Sequence, residues 1–290
     1  MASEFATVGG KFRFAPHLGL FEPGLGLFRH AAGRDPVSQI EFAADHGFSA
    51  VQDNFLQLRD VKDQERIGRA IARHGVTMGS FVATMIFDRP TFASDDPETV
   101  KAVLDIIRKA IEAAKRVNGV WLTLIPGHRI GAISYEKQKN TIIDNLTRCA
   151  EFAEAAEVVL LLEALNSIDR PGMMLSKITE AAEVVHAVQS RACRLVFDVY
   201  HVQAESGDII RNIDRCWKEI GYFQLGDNPG RCEPGTGEIN FARVLSHIWR
   251  KGYRGLLDME HHASREGIAG EQAVLQAYAE LEQAATKLDL

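Results

Sequence analysis

Residues 222–240 read YFQLGDNPGRCEPGTGEIN, and the interpretation of the whole chain starts from this stretch. A short apolar run, Tyr222 and Phe223, is followed by the polar residue Gln224 and then by a loop rich in glycine and proline. Four charged residues lie in that loop: Asp227, Arg231, Glu233 and Glu238. Turn-forming and charged residues that follow a strand are typical of a functional loop on a rigid scaffold, although a bland surface loop can have the same composition.

Along the rest of the chain, short apolar runs alternate with longer amphipathic runs. This alternation is typical of βα units around a parallel sheet. Eight strands are predicted, each followed by a helix: residues 12–18, 50–53, 76–82, 120–125, 158–162, 194–197, 222–224 and 255–259. The pairs Asp35-Pro36 and Asp96-Pro97 predict helix starts, and Ser176 is a predicted N-cap. This pattern favours an α/β fold with a single (β/α)8 TIM barrel, and a doubly wound open sheet is the alternative.

The chain has 290 residues, of which 46% are apolar and 25% are charged, as in an ordinary globular protein with a sizeable core. This length suits one barrel domain, which we predict over residues 12–290. Residues 1–11 lack the charged and apolar segments of a secretory signal. We expect them to form an N-terminal tail that is disordered or derived from an expression tag.

Charge and cysteine content exclude several classes of protein. The net charge is -6 and no cluster of lysine and arginine occurs, so no nucleic-acid partner is expected. No run of 18 apolar residues occurs, so no membrane span is expected. The four cysteines have no CxxC spacing, which indicates reduced thiols and a cytoplasmic location.

Four polar residues end the last four predicted strands: Glu163, Asp198, Gln224 and Glu260. The carboxyl ends of consecutive barrel strands surround one mouth, so we expect these side chains to converge. Three carboxylates at one place repel each other unless a cation holds them. Because all four ligands are oxygens, the sequence predicts one divalent metal ion, Mn²⁺ or Mg²⁺ rather than Zn²⁺.

The loop at residues 222–240, the motif DVYH at residues 198–201 and the motif MEHH at residues 259–262 carry a family resemblance. The chain resembles the hydroxypyruvate isomerase branch of the xylose-isomerase-like sugar isomerases and epimerases, from about residue 14 to about residue 261. The resemblance implies the metal ligands Glu163, Asp198, Gln224 and Glu260, with Gln224 where sugar epimerases usually carry histidine. It also implies that Glu163 and Glu260 are the catalytic pair.

Four residues are expected to contact the substrate: His17, His128, His201 and Arg231. The resemblance implies that role for His201, and a satisfied structural histidine is the alternative. Arg231 is a bidentate donor suited to a carboxylate or to adjacent hydroxyls, and a loop salt bridge with Glu233 or Asp227 is its alternative. Asn166 is expected to orient Glu163.

The resemblance implies a metal-dependent isomerase of a small hydroxy-carbonyl compound, acting through an enediolate, with hydroxypyruvate to tartronate semialdehyde as the named reaction. A ketosugar epimerase or a 3-keto-glycoside lyase would use the same metal and glutamate pair. A non-catalytic sugar-binding or partner subunit is the alternative of another class. The expected partner is a small-molecule substrate. The sequence does not decide whether the chain forms a homo-oligomer.

Overall fold

The computed structural model describes residues 6–288, which form two compact units. Of the described residues, the first unit contains 6–79 and 223–288, and the second is Ser80–Tyr222. Of the predicted tail, residues 1–5 lie outside the described residues. Val8 in the same segment is buried, and its N–H donates to the His46 carbonyl oxygen at 2.7 Å. The domain boundary at residue 12 stays a prediction.

The first unit has helices and parallel strands in alternation. Its elements are β1 (Arg13–Pro16), α1 (Pro36–Asp45), β2 (Ala50–Val51), α2 (Val61–His74), β3 (Thr77–Met78), α8 (Phe241–Arg250), β9 (Leu256–Met259) and α9 (Gly267–Lys287). Strand β1 pairs with β9 in parallel, with Pro16 opposite Met259, and β2 pairs with β3. The last residues of β8 (Ile220–Leu225) also belong here, and they pair with β9 so that Gln224 lies opposite Asp258.

The second unit repeats the same alternation. Its elements are β4 (Phe81–Val82), α3 (Pro97–Val117), β5 (Trp121–Leu124), α4 (Tyr135–Ala155), β6 (Val159–Leu162), α5 (Ile178–Val188), β7 (Cys193–Asp198), α6 (Val199–Glu205), α7 (Ile209–Cys216) and the start of β8. Strands β4, β5, β6 and β7 pair in that order, all in parallel. Leu160, Leu161 and Leu162 of β6 have no exposed surface, as expected of a strand covered on both faces.

Helix starts follow the capping chemistry that the sequence predicts in two cases. The carboxylate of Asp35 accepts from the N–H of Ser38, and that of Asp96 accepts from the N–H of Thr99, which satisfies free amides at the first turn. The prediction for Ser176 is wrong, because the N-cap of α5 is Lys177. The Ser176 hydroxyl instead donates to Glu205 Oε1 at 2.8 Å.

Two local elements differ from the sequence-based expectation. The single strand predicted over residues 76–82 is two short strands, β3 and β4, separated by Gly79 and Ser80. Two helices, α6 and α7, follow β7, where the sequence analysis predicts one, and α6 begins immediately after the strand. Asp198 is both the last residue of β7 and the N-cap of α6, so the turn from strand to helix needs no loop residue. Within residues 6–288, no helix combines the length and the hydropathy required to cross a membrane.

The buried leucines of β6 predict a large packing contribution to stability. Leu161→Ala removes a side chain with 0% exposure and should lower the free energy of unfolding by about 2–5 kcal/mol, since the cavity refills only in part. The matched control is Ile168→Ala, whose side chain is 73% exposed and should change stability by less than about 0.5 kcal/mol. Urea denaturation followed by circular dichroism measures both, and equal effects would contradict the assigned burial.

Candidate functional site

The second unit brings together three side chains that the sequence analysis singles out. Glu163 directly follows β6, Asp198 ends β7, and His201 lies in the first turn of α6. Their exposed fractions are 4%, 2% and 3%. One potential ligand atom from each lies within 4.8 Å of the others, so the group has the dimensions of a metal site. Two buried carboxylates at this spacing need a cation or hydrogen-bond donors to offset their repulsion.

The two carboxylate oxygens of Asp198 have different surroundings. Oδ1 accepts from the backbone N–H of Tyr200 at 2.8 Å and from that of His201 at 3.3 Å, which caps α6. Oδ2 lies 3.7 Å from His201 Nε2. The cap fixes the carboxylate plane and directs Oδ2 toward the histidine.

His201 is held in one tautomer by Asn166. The backbone N–H of Asn166 lies 3.2 Å from His201 Nδ1, and the Asn166 side-chain Nδ2 lies 2.7 Å from it. A backbone N–H can only donate, so Nδ1 accepts and the proton of the neutral ring is on Nε2. A protonated nitrogen cannot bind a metal ion, and His201 therefore fits hydrogen-bond donation rather than metal ligation.

The same contacts correct the expected role of Asn166, which was to orient Glu163. Its amide Nδ2 donates to His201 Nδ1 and to Asp169 Oδ2, and its Oδ1 accepts from the Asp169 N–H. The Tyr200 hydroxyl donates to the same Asp169 oxygen at 2.7 Å. Both the nitrogen and the oxygen of the Asn166 side-chain amide are hydrogen-bonded, which fixes the orientation of the amide. Asn166 therefore positions the ring of His201.

The tautomer of His201 is a testable consequence. In protein labelled with ¹⁵N-histidine and held at pH 8, two-dimensional ¹⁵N–¹H spectra should give the Nε2–H form for His201, with Nδ1 carrying the shift of an unprotonated nitrogen. Asn166→Leu removes the side-chain donor but keeps the backbone N–H, and we expect a mixture of tautomers. An Nδ1–H form in the unaltered protein would contradict the assigned hydrogen bonds.

In the first unit, Glu260 is the centre of a second group. It follows β9 and is 4% exposed. Its Oε1 accepts from Asn54 Nδ2 and from Gln224 Nε2, each at 3.1 Å. Its Oε2 accepts from Arg231 Nη2 at 2.6 Å, and its backbone carbonyl accepts from Arg231 Nε at 3.2 Å. Three side chains thus compensate the buried charge.

The amide of Gln224 is oriented by this arrangement. A carboxylate oxygen can only accept from the Gln224 amide, so Nε2 faces Glu260 and Oε1 faces away. Among the described residues, this Oε1 is buried and has no hydrogen-bond partner. A buried amide oxygen without a donor is costly in an apolar setting and is suited to a hard divalent cation.

Arg231 makes a salt bridge with Glu260, an acid that the sequence analysis did not consider as its partner. Glu233, which it did consider, accepts from the Ser264 N–H at 2.8 Å and from its hydroxyl at 2.5 Å. The guanidinium also lies 5.7 Å from the centre of the Phe21 ring. The Arg231 backbone has a φ of 46°, an uncommon conformation for a residue with a side chain.

Asp227 organises the glycine-rich loop after β8, a role that the sequence analysis does not assign to it. Its fully buried carboxylate accepts four backbone N–H groups, from Asn228, Gly235, Gly237 and Ile239 at 2.8 to 3.1 Å. A Cβ atom at Gly237 would lie 2.0 Å from the Asn228 carbonyl oxygen, so glycine is required there. The sequence signal is an aspartate followed, within a dozen residues, by closely spaced glycines.

Replacement of the Asp227 carboxylate should loosen this loop. Asp227→Asn exchanges one accepting oxygen for an NH₂ group, which faces backbone donors and cannot accept from them. We expect the Gly235, Gly237 and Ile239 amides to exchange with deuterium at least tenfold faster, corresponding to a loss of about 1–3 kcal/mol. The exposed Glu238→Gln is the control. If the amides of Asp227→Asn stay equally protected from exchange, Asp227 does not organise the loop.

His17 and His128, both predicted to contact the substrate, have different environments. His17 is 4% exposed, and its Nε2 lies 3.1 Å from the His261 carbonyl oxygen. Burial, with nearby His261, lowers the pKa of His17 to about 3, so the ring is neutral. In the second unit, the half-buried His128 ring lies against Gly172. The substrate roles of His17, His128, His201 and Arg231 stay predictions.

A profile of the xylose isomerase-like TIM barrel family matches residues 40–282, and the chain belongs to this family. The predicted (β/α)8 class is thereby confirmed. A crystal structure of an AP endonuclease, family 2, from Brucella melitensis agrees in fold, with a TM-score of 0.78 at 24% identity over 92% of this chain and 98% of that one.

Two relatives are similar in sequence over about half of the chain. The chain is 28% identical over 166 residues to hydroxypyruvate isomerase from Escherichia coli, which is 57% of this chain and 64% of the relative. It is 30% identical over 130 residues to 2-oxo-tetronate isomerase from Cupriavidus necator, which is 45% of this chain and 50% of the relative. These matches cover less than two thirds of either relative.

Proposed function

We propose that the protein is a divalent-metal-dependent isomerase. The relatives' names support the isomerase activity and small hydroxy-carbonyl acids as its substrates. Hydroxypyruvate to tartronate semialdehyde is the reference reaction. The observation that carries the proposal is the buried cluster of Glu163, Asp198 and His201. Such a cluster is costly to bury and is of the kind that functional sites retain.

The residues fit a hard cation. Glu163 and Asp198 supply carboxylate oxygens, and Gln224 has a buried amide oxygen without a donor. Oxygen donors of this kind favour Mg²⁺ and Mn²⁺. We propose Glu163, Asp198, Gln224 and Glu260 as the ligand set, since the strand ends of the family's barrel surround one mouth. When bound, the ion would acidify the C–H group between a carbonyl and its neighbouring hydroxyl and stabilise the enediolate.

The side chains of the protein then supply binding and proton transfer. Glu163 and Glu260 are the proposed proton carriers, taking a proton from one carbon and returning one to its neighbour. His201, with its proton on Nε2, donates to a substrate oxygen. Arg231 holds Glu260 Oε2 and so limits the directions in which that carboxylate can act.

Partners and location complete the proposal. A small-molecule substrate is the proposed partner, with no nucleic acid, and the oligomeric state is left open. The AP endonuclease named above shares the fold at 24% identity, which carries no argument for action on DNA. The cytoplasmic location also stays a prediction.

Metal binding can be separated from substrate contact by two variants. Asp198→Asn should weaken Mn²⁺ binding at least tenfold, because a charged oxygen ligand is lost. His201→Gln keeps an N–H donor near the position of Nε2 and should leave Mn²⁺ affinity within about threefold, since His201 is assigned no metal bond. Calorimetric titration of protein treated with EDTA measures both and should give one ion per chain. A larger loss in His201→Gln than in Asp198→Asn would reverse the ligand assignment.

Catalysis and metal binding are distinguished by glutamate-to-glutamine changes. Glu163→Gln and Glu260→Gln keep an oxygen ligand but remove the proton acceptor, so turnover should fall by roughly 10²–10⁴-fold in metal-loaded protein. If a single carboxylate moves the proton, only its variant loses proton exchange with solvent. If transfer occurs from opposite faces, as in an epimerase, both variants lose turnover.

The same pair of variants tests the non-catalytic alternative. Near-normal turnover in both metal-loaded variants would refute the mechanism. It would favour the reading of the protein as a sugar-binding or partner subunit.

A further inference from the structure

Phe21, in the loop between β1 and α1, is a large aromatic residue that is 44% exposed and has no role in the mechanism above. Burial stabilises such a residue only in part, because much of its surface stays in water. Its contacts are nevertheless specific. The ring stacks on that of His262, with centres 4.4 Å apart and planes inclined by 20°, and the Arg231 guanidinium carbon lies 5.7 Å from its centre. These contacts connect Phe21 to the residue that binds Glu260.

The backbone that precedes Phe21 is anchored on Asn54. The Asn54 N–H donates to the Gly19 carbonyl oxygen at 3.2 Å, and Asn54 Nδ2 donates to the Leu20 carbonyl oxygen at 3.4 Å. The same Nδ2 donates to Glu260 Oε1 at 3.1 Å. Phe21 therefore follows two residues whose positions depend on Asn54, which is a donor to the carboxylate that Arg231 binds.

Arg231 is held at its backbone and at its guanidinium group by different partners. The His262 N–H donates to the Arg231 carbonyl oxygen at 2.9 Å. The guanidinium donates to Glu260 Oε2 at 2.6 Å and to the Glu260 carbonyl oxygen at 3.2 Å. The long side chain between these points has many rotamers, and a carboxylate that shares its charge with a metal ion attracts a guanidinium less strongly. Fixing the guanidinium then requires a contact that does not depend on the charge of Glu260.

The face of an aromatic ring provides such a contact. It attracts a cation within about 6 Å of the ring centre, and the attraction needs no counter-ion. We propose that Phe21 is a positioning residue that keeps the Arg231 guanidinium on Glu260 by a cation–π contact, with His262 supporting the ring. The inference rests on the proposed function for its effect on turnover, since Glu260 is a proposed proton carrier. Phe21 acts through Arg231 and is assigned no contact with the substrate.

The effect of Phe21 on Arg231 can be measured without substrate. In protein labelled with ¹⁵N-arginine, the Arg231 Nε–H signal is identified by its loss in Arg231→Lys, and its exchange with water is followed at fixed pH. Phe21→Leu keeps an apolar side chain but removes the ring, so exchange should become about 2- to 5-fold faster, as expected for loss of an exposed cation–π contact. Phe21→Tyr keeps the ring and should keep the wild-type rate. The control is Leu58→Ala, at a 67% exposed site in the same unit, which should leave the rate unchanged.

Fluorinated rings separate the electrostatic contact from packing. Phe21 is replaced by 4-fluoro-, then 3,5-difluoro-, then 3,4,5-trifluorophenylalanine, which weaken the negative face of the ring in steps with little change of shape. We expect exchange of the Arg231 Nε–H to become faster in the same order. Because these rings keep the shape of phenylalanine, the test does not depend on whether Phe21→Leu folds.

Two results of this series would overturn the proposal. Equal exchange rates in the wild type, the fluorinated proteins and Phe21→Leu would show that Phe21 has no effect on Arg231. Faster exchange in Phe21→Leu alone would show that Phe21 acts only by packing.

Turnover shows whether the position of Arg231 matters for the reaction. With metal bound, Phe21→Leu should lower kcat about 2- to 5-fold and leave KM within about twofold, because the ring acts through Arg231 on Glu260 and not on the substrate. In an Arg231→Gln background, Phe21→Leu should have no further effect on kcat, since the group that it positions is gone. A change in KM alone, or the same loss of kcat in that background, would contradict the positioning role.

The positioning role and the isomerase proposal can fail separately. Unchanged Nε–H exchange across the Phe21 series, in protein with normal turnover, refutes the positioning role alone. Graded exchange in protein that turns over no hydroxy-carbonyl acid refutes the isomerase proposal alone.

Discussion

The buried carboxylate of Glu260 is the constraint on which the arrangement of the first unit depends. A negative charge with 4% exposure requires donors, and it has them in Asn54, Gln224 and Arg231. Each of these contacts has a second consequence. The NH₂ groups of Asn54 and Gln224 face Glu260, so their carbonyl oxygens are left for other ligands. Burial of one charge thus orients two acceptors.

In the second unit, the buried carboxylate of Asp198 is stabilised in a different way. Asp198 ends its strand and caps the following helix, so backbone amides stabilise one oxygen while the other faces His201. Asn166 then fixes the ring of His201 through Nδ1, which determines that Nε2 is the donor. The hydrogen-bonding role of His201 is therefore set by Asp198, which ends the strand and caps the helix, and by Asn166.

Much of this was predictable from the sequence, because strand-end polar residues and aspartate–proline helix starts are local signals. Glu163, Asp198 and Glu260 lie at strand ends as expected, and Asp35 and Asp96 cap their helices. What local patterns could not predict were partners distant in the chain. Ser176 is a good N-cap residue by type, but its hydroxyl donates to Glu205, which is 29 residues away.

Other differences have the same origin. Arg231 has acidic neighbours in its own loop, yet it bonds Glu260, 29 residues away. Helix α6 was not predicted, because Asp198 serves as both strand end and cap and leaves no loop signal between them. Asn166 is near Glu163 in sequence, and only the fold shows that its amide bonds His201.

Proton exchange in D₂O tests the central claim most directly, because it reports C–H cleavage before any product is known. Hydroxypyruvate and a four-carbon 2-oxo-3-hydroxy acid are incubated with Mn²⁺-loaded protein, and the hydrogen on the hydroxyl-bearing carbon next to the carbonyl is followed by ¹H NMR. The account predicts that the protein accelerates the loss of this signal, and that EDTA abolishes the effect. Exchange no faster than in protein-free solution, for both compounds and with metal bound, would contradict it.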